Sequence, residues 1–119
     1  MEKPITPTRH AAIDYSMAAG LLALPRLLGF SERAKRVFTT LGLIATAASA
    51  TTEHRLSVKP MIPFKTHRIV DLASLPVFLL LPLLAKITTE RGPRRMWLAT
   101  LGGIVVVYAL TDWDADPAT

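Results

Sequence analysis

Along this chain, four apolar blocks alternate with short polar segments rich in Pro, Gly and basic residues. The first block runs through Ala11-Ala12-Ile13 and Tyr15 to Leu28, broken by Asp14, Gly20, Pro25 and Arg26. The second follows Glu32-Arg33-Ala34-Lys35-Arg36 and is rich in Ala, Thr, Ser and Gly, small residues that let neighbouring helix backbones approach closely in a membrane. The third, Val77 to Leu81 and Leu83 to Ala85, shows no polar face, and the fourth centres on Ile104-Val105-Val106-Val107. With Thr8, Ser31 and Thr66 as N-caps and Gly29 as a stop, the pattern predicts helices over 8–28, 32–53, 66–85 and 93–112. Pro60 and Pro63 prevent the connector between the second and third from being a continuous helix. Pro93 suits a first helical position, Gly102-Gly103 suits a close helix contact, and the acidic tail after Asp112 is expected to fray.

A membrane core about 30 Å thick needs about 20 apolar residues in a helix, and each block comes close to that length. The pattern therefore predicts an all-α polytopic membrane protein, one membrane domain over 1–119 whose four transmembrane helices form a four-helix bundle. The stretch before the first block, Met1 to Arg9, carries two prolines and mixed charges and does not resemble a signal peptide.

The chain also repeats itself. Thr8-Arg9-His10-Ala11-Ala12-Ile13-Asp14 returns as Thr66-His67-Arg68-Ile69-Val70-Asp71, each time with His four residues before Asp and a Pro eleven residues after the Asp. A four-residue spacing puts His and Asp on one helix face, one turn apart. A fixed offset implies a duplicated unit, here two parallel helical-hairpin repeats of approximately 8–53 and 65–112. Thr52-Glu53 and Thr111-Asp112 form a further echo at the ends of the second and fourth helices.

Charge then orients the bundle. Half of the residues are hydrophobic and the net charge is +5, with the basic excess concentrated in the turns after the first and third helices. Arg26, Arg33, Lys35, Arg36, Lys86, Arg91, Arg94 and Arg95 there face only Glu32 and Glu90. Basic turns mark the cytoplasmic side, which places both termini and the His/Asp repeats outside, as in a bacterial inner membrane. Basic residues confined to such turns report topology, and no nucleic-acid recognition motif accompanies them. The absence of cysteine removes disulfides and thiolate ligands. Trp97 and Trp113 read as belt residues at opposite interfaces. The helix ending Leu27-Leu28-Gly29-Phe30 after Pro25 resembles the short hairpins of SPW-repeat membrane proteins. The Ser-Pro-Trp signature is absent, so that resemblance implies no site residue.

Six ionisable residues are thereby expected at one membrane level: His10, Asp14, Glu53, His67, Asp71 and Asp112. Carboxylates at that depth need a positive partner. A divalent metal, zinc, iron or manganese, satisfies the need. Two His and four acids resemble the ligand count of di-iron and di-manganese bundles, though those use Glu-x-x-His and this chain has His-x-x-x-Asp. A single ion on His10 and His67 with one or two acids fits equally well. Three other readings stand beside metal binding. The cluster, with help from Arg9, Arg55 and Arg68, only locks the hairpins together in a structural subunit with a membrane partner. The two His ligate haem. Or a homodimer conducts ions or protons. His54 falls outside the predicted ligand set, and no motif assigns a reaction.

Overall fold

The computed structural model describes residues 2–119; Met1 lies outside them. Among the described residues the protein is all-α, with four helices and no strand: α1 (Pro7–Leu27), α2 (Glu32–Ala50), α3 (Phe64–Leu84) and α4 (Arg91–Leu110). A 3₁₀ turn, Ile87–Thr89, precedes α4.

Local chemistry sets the helix ends. Thr6, not Thr8, caps α1, its hydroxyl accepting from the Arg9 N–H, with Pro7 at the first helical position where its missing N–H costs nothing. Gly29 takes a left-handed φ of 66° after α1, which lets the Phe30 N–H return to the Pro25 carbonyl. Ser31 then caps α2 through the Ala34 N–H. Pro63, not Thr66, stands at the N-cap of α3, and α4 starts two residues before Pro93.

α2 and α4 stop short of residues 53 and 112 for a shared reason. The Glu53 N–H donates to Ile62 O and the Asp112 N–H to Ile5 O, so each backbone leaves its helix to pair with the segment that enters a helix of the other half. Isolated parallel bridges, Thr52 with Ile62 and Ile5 with Thr111, mark these two crossings. The tail is tied down as well: the Thr8 N–H donates to Thr119 O and Lys65 pairs with Asp114 at 3.1 Å. Trp113 is 5% exposed, so it belongs to the interior and not to an interfacial belt.

The apolar core, Leu21, Val37, Phe38, Leu41, Phe78 and Ile87, fills the end of the bundle nearest the basic turns. α1 and α2 pack closely because Gly42 has no Cβ; one built there would lie 2.9 Å from the Leu22 side chain and 3.3 Å from the Ala18 carbonyl. Gly102 and Gly103, expected at a helix contact, have nothing near the Cβ position.

One helix, α3, is long and apolar enough to cross a membrane. Four such spans follow from the sequence pattern, but charges shorten the apolar runs of the others. Arg9, Asp14 and Arg26 interrupt α1, and basic first turns open α2 and α4.

Candidate metal centre

The end of the bundle away from the apolar core holds the repeated His-x-x-x-Asp motif. α1 presents His10 and Asp14 one turn apart, α3 presents His67 and Asp71 in the same way, and the two pairs face each other. The His rings lie 5.3 Å apart at 87°. One ligand atom from each of the four side chains falls within 4.8 Å of the others. His10 Nε2 is 3.1 Å from Asp14 and 3.4 Å from Asp71; His67 Nε2 is 3.3 Å from Asp14 and 3.1 Å from Asp71.

Both histidines are buried and both are held from behind. His10 Nδ1 lies 2.9 Å from Thr111 Oγ1, and His67 Nδ1 lies 2.7 Å from Thr52 Oγ1. A hydroxyl has one proton to give. Thr111 gives its proton to the Val107 carbonyl and Thr52 gives its own to the Ala48 carbonyl. Each threonine must therefore accept, which puts the imidazole proton on Nδ1 and leaves Nε2 as a lone pair in the neutral ring. The contact is exchanged between halves: α1 takes its threonine from the end of α4, and α3 from the end of α2.

The two Nε2 atoms are buried without a hydrogen-bond partner among the described residues. Charge-assisted N–H···O contacts run at about 2.7–2.9 Å. The four His–Asp distances are longer, and each Nε2 sits almost equally far from two carboxylates, which one proton cannot serve at once. A tetrahedral ion with bonds of about 2.05 Å sets neighbouring ligand atoms about 3.3 Å apart. One Asp14 oxygen, at 3.1 and 3.3 Å from the two Nε2 atoms, lies near that value, and Asp71 offers a separate oxygen to each histidine, at 3.4 and 3.1 Å. The donor set also has the right charge: two neutral imidazoles and two carboxylates balance one divalent cation.

Aromatic rings wall off one side. Trp113 lies edge-on to His10 at 4.9 Å and stacks on Phe64 at 5.3 Å; Phe64 stacks in turn on His67. On the other side the carboxylates are the accessible members, 15% exposed for Asp14 and 20% for Asp71 against 2% for either histidine.

Four of the six residues singled out in the sequence thus meet, and two do not. Glu53 lies past the end of α2 beside His54 and Arg55, and the Asp112 carboxylate accepts from the Asp114 N–H in the tail turn. The Thr-Glu and Thr-Asp echoes do reach the site, but through the threonines. The backbone turns outward one residue later, which carries the acids away. The signal for the threonines was the echo itself, since Thr52 and Thr111 stand at matched places in it. With the acids removed, the group offers ligands for one ion and not for a dinuclear centre.

Arginines do not complete the cluster. Arg9 donates to the Pro4 carbonyl and Arg68 to the Tyr108 hydroxyl, and no ion pair among the described residues involves an arginine. His54 is fully engaged, Nε2 donating to Ser49 O and Nδ1 accepting from the Leu56 N–H. Burial holds its pKa below the ordinary imidazole value, so it stays neutral and structural. No protein-family model, curated protein or solved structure matches this chain.

Proposed function

We propose that this chain is a small integral membrane protein that holds one divalent cation, zinc foremost, on His10, Asp14, His67 and Asp71. The observation that carries the metal reading is the convergence of two buried Nε2 atoms, each held from behind through Nδ1, and two carboxylates, one ligand atom from each lying within 4.8 Å of the others. Imidazole and carboxylate donors in that geometry suit zinc, which imposes no directional preference of its own.

The membrane half of the reading draws on exposure. Only 17% of the apolar stretch of α3 is buried, where the core helix of a water-soluble protein would be mostly covered. Leu72, Leu79, Leu80 and Leu83 on that helix are 41–47% exposed. Apolar surface of that extent is rare on soluble monomers and ordinary against lipid. The helices also have the reach, since 21 residues at about 1.5 Å each span about 30 Å. The basic turns then face the cytoplasm and the metal centre the outside.

Elemental analysis of protein purified from membranes without chelator tests the metal directly. His10→Gln/His67→Gln keeps polar side chains at both positions but removes both nitrogen ligands. Zinc at 100 times its dissociation constant should stabilise the natural protein by about 2.7 kcal/mol and leave the double variant unmoved. Identical melting of both proteins with and without zinc would reduce the cluster to an ion-pair lock between helices.

A further inference from the structure

The metal centre forms one end of a long apolar slot. A cavity of about 380 Å³ runs from His10, Asp14, His67 and Asp71 between the helices toward Phe78 and Met96. That volume is in the range of small-molecule sites, which are apolar with a few polar groups fixing orientation. Here the four metal-centre side chains are the ionisable groups on its wall.

The slot has a measurable length. α4 lines it with Met96, Ala99, Thr100, Gly103, Ile104 and Val107, a single helical face twelve residues long. α3 lines it over the same number of positions, from His67 to Phe78. Eleven rises of about 1.5 Å between the ends of each stretch make about 16 Å. Extended carbon chains built from bonds of about 1.5 Å advance by roughly 1.25 Å per atom, so about a dozen carbons fit. Ile13, Leu24 and Ile44 line the slot and are 37%, 43% and 39% exposed, so it opens on the outer surface of the bundle.

Charge selects the head group. The centre with its divalent ion is neutral, and a carboxylate or phosphate arriving at it would bring an unbalanced negative charge into an apolar site. An uncharged oxygen would not. Asp14 and Asp71, the accessible ligands, lie on the slot wall, so a fifth donor approaches along the slot and not through the aromatic wall.

We propose that the slot binds a single-chain lipid of about a dozen carbons with an uncharged oxygen head, a long-chain alcohol or aldehyde, whose oxygen reaches the ion held by the four side chains. This rests on the metal reading above. The chain enters sideways from the bilayer, and the bound ion fixes which end points toward the outer face.

Cobalt in place of zinc makes the test spectroscopic, because its visible bands are strong with four ligands and weaken with five. In nanodiscs, 1-dodecanol should weaken the bands of the cobalt-loaded protein, while dodecane and dodecanoate should not. Gly103→Leu fills the slot, since nothing lies near the Cβ position there, and should abolish the response while keeping the cobalt bands. Gly102→Leu, equally unobstructed but off the slot, should respond like the natural protein. Ala99→Leu, one turn earlier on the slot face, repeats the test if Gly103→Leu does not fold. Cobalt bands that ignore dodecanol would overturn the lipid site and leave the metal centre standing. Absence of cobalt bands would overturn both. A response to dodecane, or one lost equally in Gly102→Leu, would overturn the assignment of the oxygen to the ion or of the chain to the slot. A response to dodecanoate would overturn the charge selection.

Discussion

Replacing Thr52 and Thr111 by Val tests whether the threonines hold the histidines ready for metal. Valine keeps the branched shape and removes the hydroxyl that each Nδ1–H uses. Leaving a buried donor unpaired costs about 1–3 kcal/mol, so two such sites would cost about 2–6 kcal/mol if the rings could not respond. They can respond. Each ring can move its proton to Nε2, where a carboxylate lies 3.1 Å away. That tautomer relieves much of the loss in the metal-free protein and blocks the nitrogen that the ion needs. The double variant should therefore lose metal affinity out of proportion to metal-free stability. Removing a partner behind a ligating histidine typically lowers affinity about 10–100-fold. Zinc competition against a chromophoric chelator measures the affinity, and thermal melting of the metal-free protein measures the stability. Thr52→Ser/Thr111→Ser, which keeps both hydroxyls, should stay near the natural affinity. If the valine variant binds zinc as tightly as the natural protein, the threonines do not set the tautomer.

Other consequences can be checked separately. Zinc occupancy at fixed total zinc should fall as the pH is lowered, because protons then compete with the ion for Nε2; equilibrium dialysis over a pH series reads it. Glu53→Gln and Asp112→Asn should leave zinc affinity unchanged, since both acids lie outside the ligand group. Trp113→Ala should destabilise by about 3–5 kcal/mol as a buried aromatic lost from the wall over His10, seen as a lowered melting temperature. Because the chain has no cysteine, Thr119→Cys and Lys35→Cys give clean topology probes in intact cells. An impermeant maleimide should label the first directly and the second only after permeabilisation.

The helices and the two His/Asp pairs were legible in the sequence because both depend on local periodicity. Apolar blocks of helical length predict helices whatever surrounds them, and a four-residue spacing fixes the shared face of His10 with Asp14 and of His67 with Asp71. What the sequence could not reveal depends on where a backbone leaves its helix. Glu53 and Asp112 read as ligands only if α2 and α4 continue to them. The long-range pairing of the Glu53 N–H with Ile62 and the Asp112 N–H with Ile5 ends both helices earlier, and no local pattern encodes it. Trp113 is the same kind of case: interfacial by its place in the sequence, interior because the tail folds back.

The exchanged His–Thr contacts also explain why the four-residue group needs the whole chain. One His-x-x-x-Asp copy supplies two ligands, half of what a tetrahedral ion requires, and it supplies no partner for its own Nδ1. His10 obtains that partner from the end of α4 and His67 from the end of α2, so neither half can orient its own imidazole. The ligands and the groups that aim them therefore form only when the halves are packed together. Metal binding to the packed state alone stabilises that packing by linkage, increasingly as the free ion exceeds its dissociation constant. The apolar core does not supply the same constraint, since it meets the slot only at the far end, through Leu21 and Phe78. An ion held by the four side chains would thus tie α1 to α3 at the end of the bundle that the apolar core does not reach, without closing the slot that leads to it.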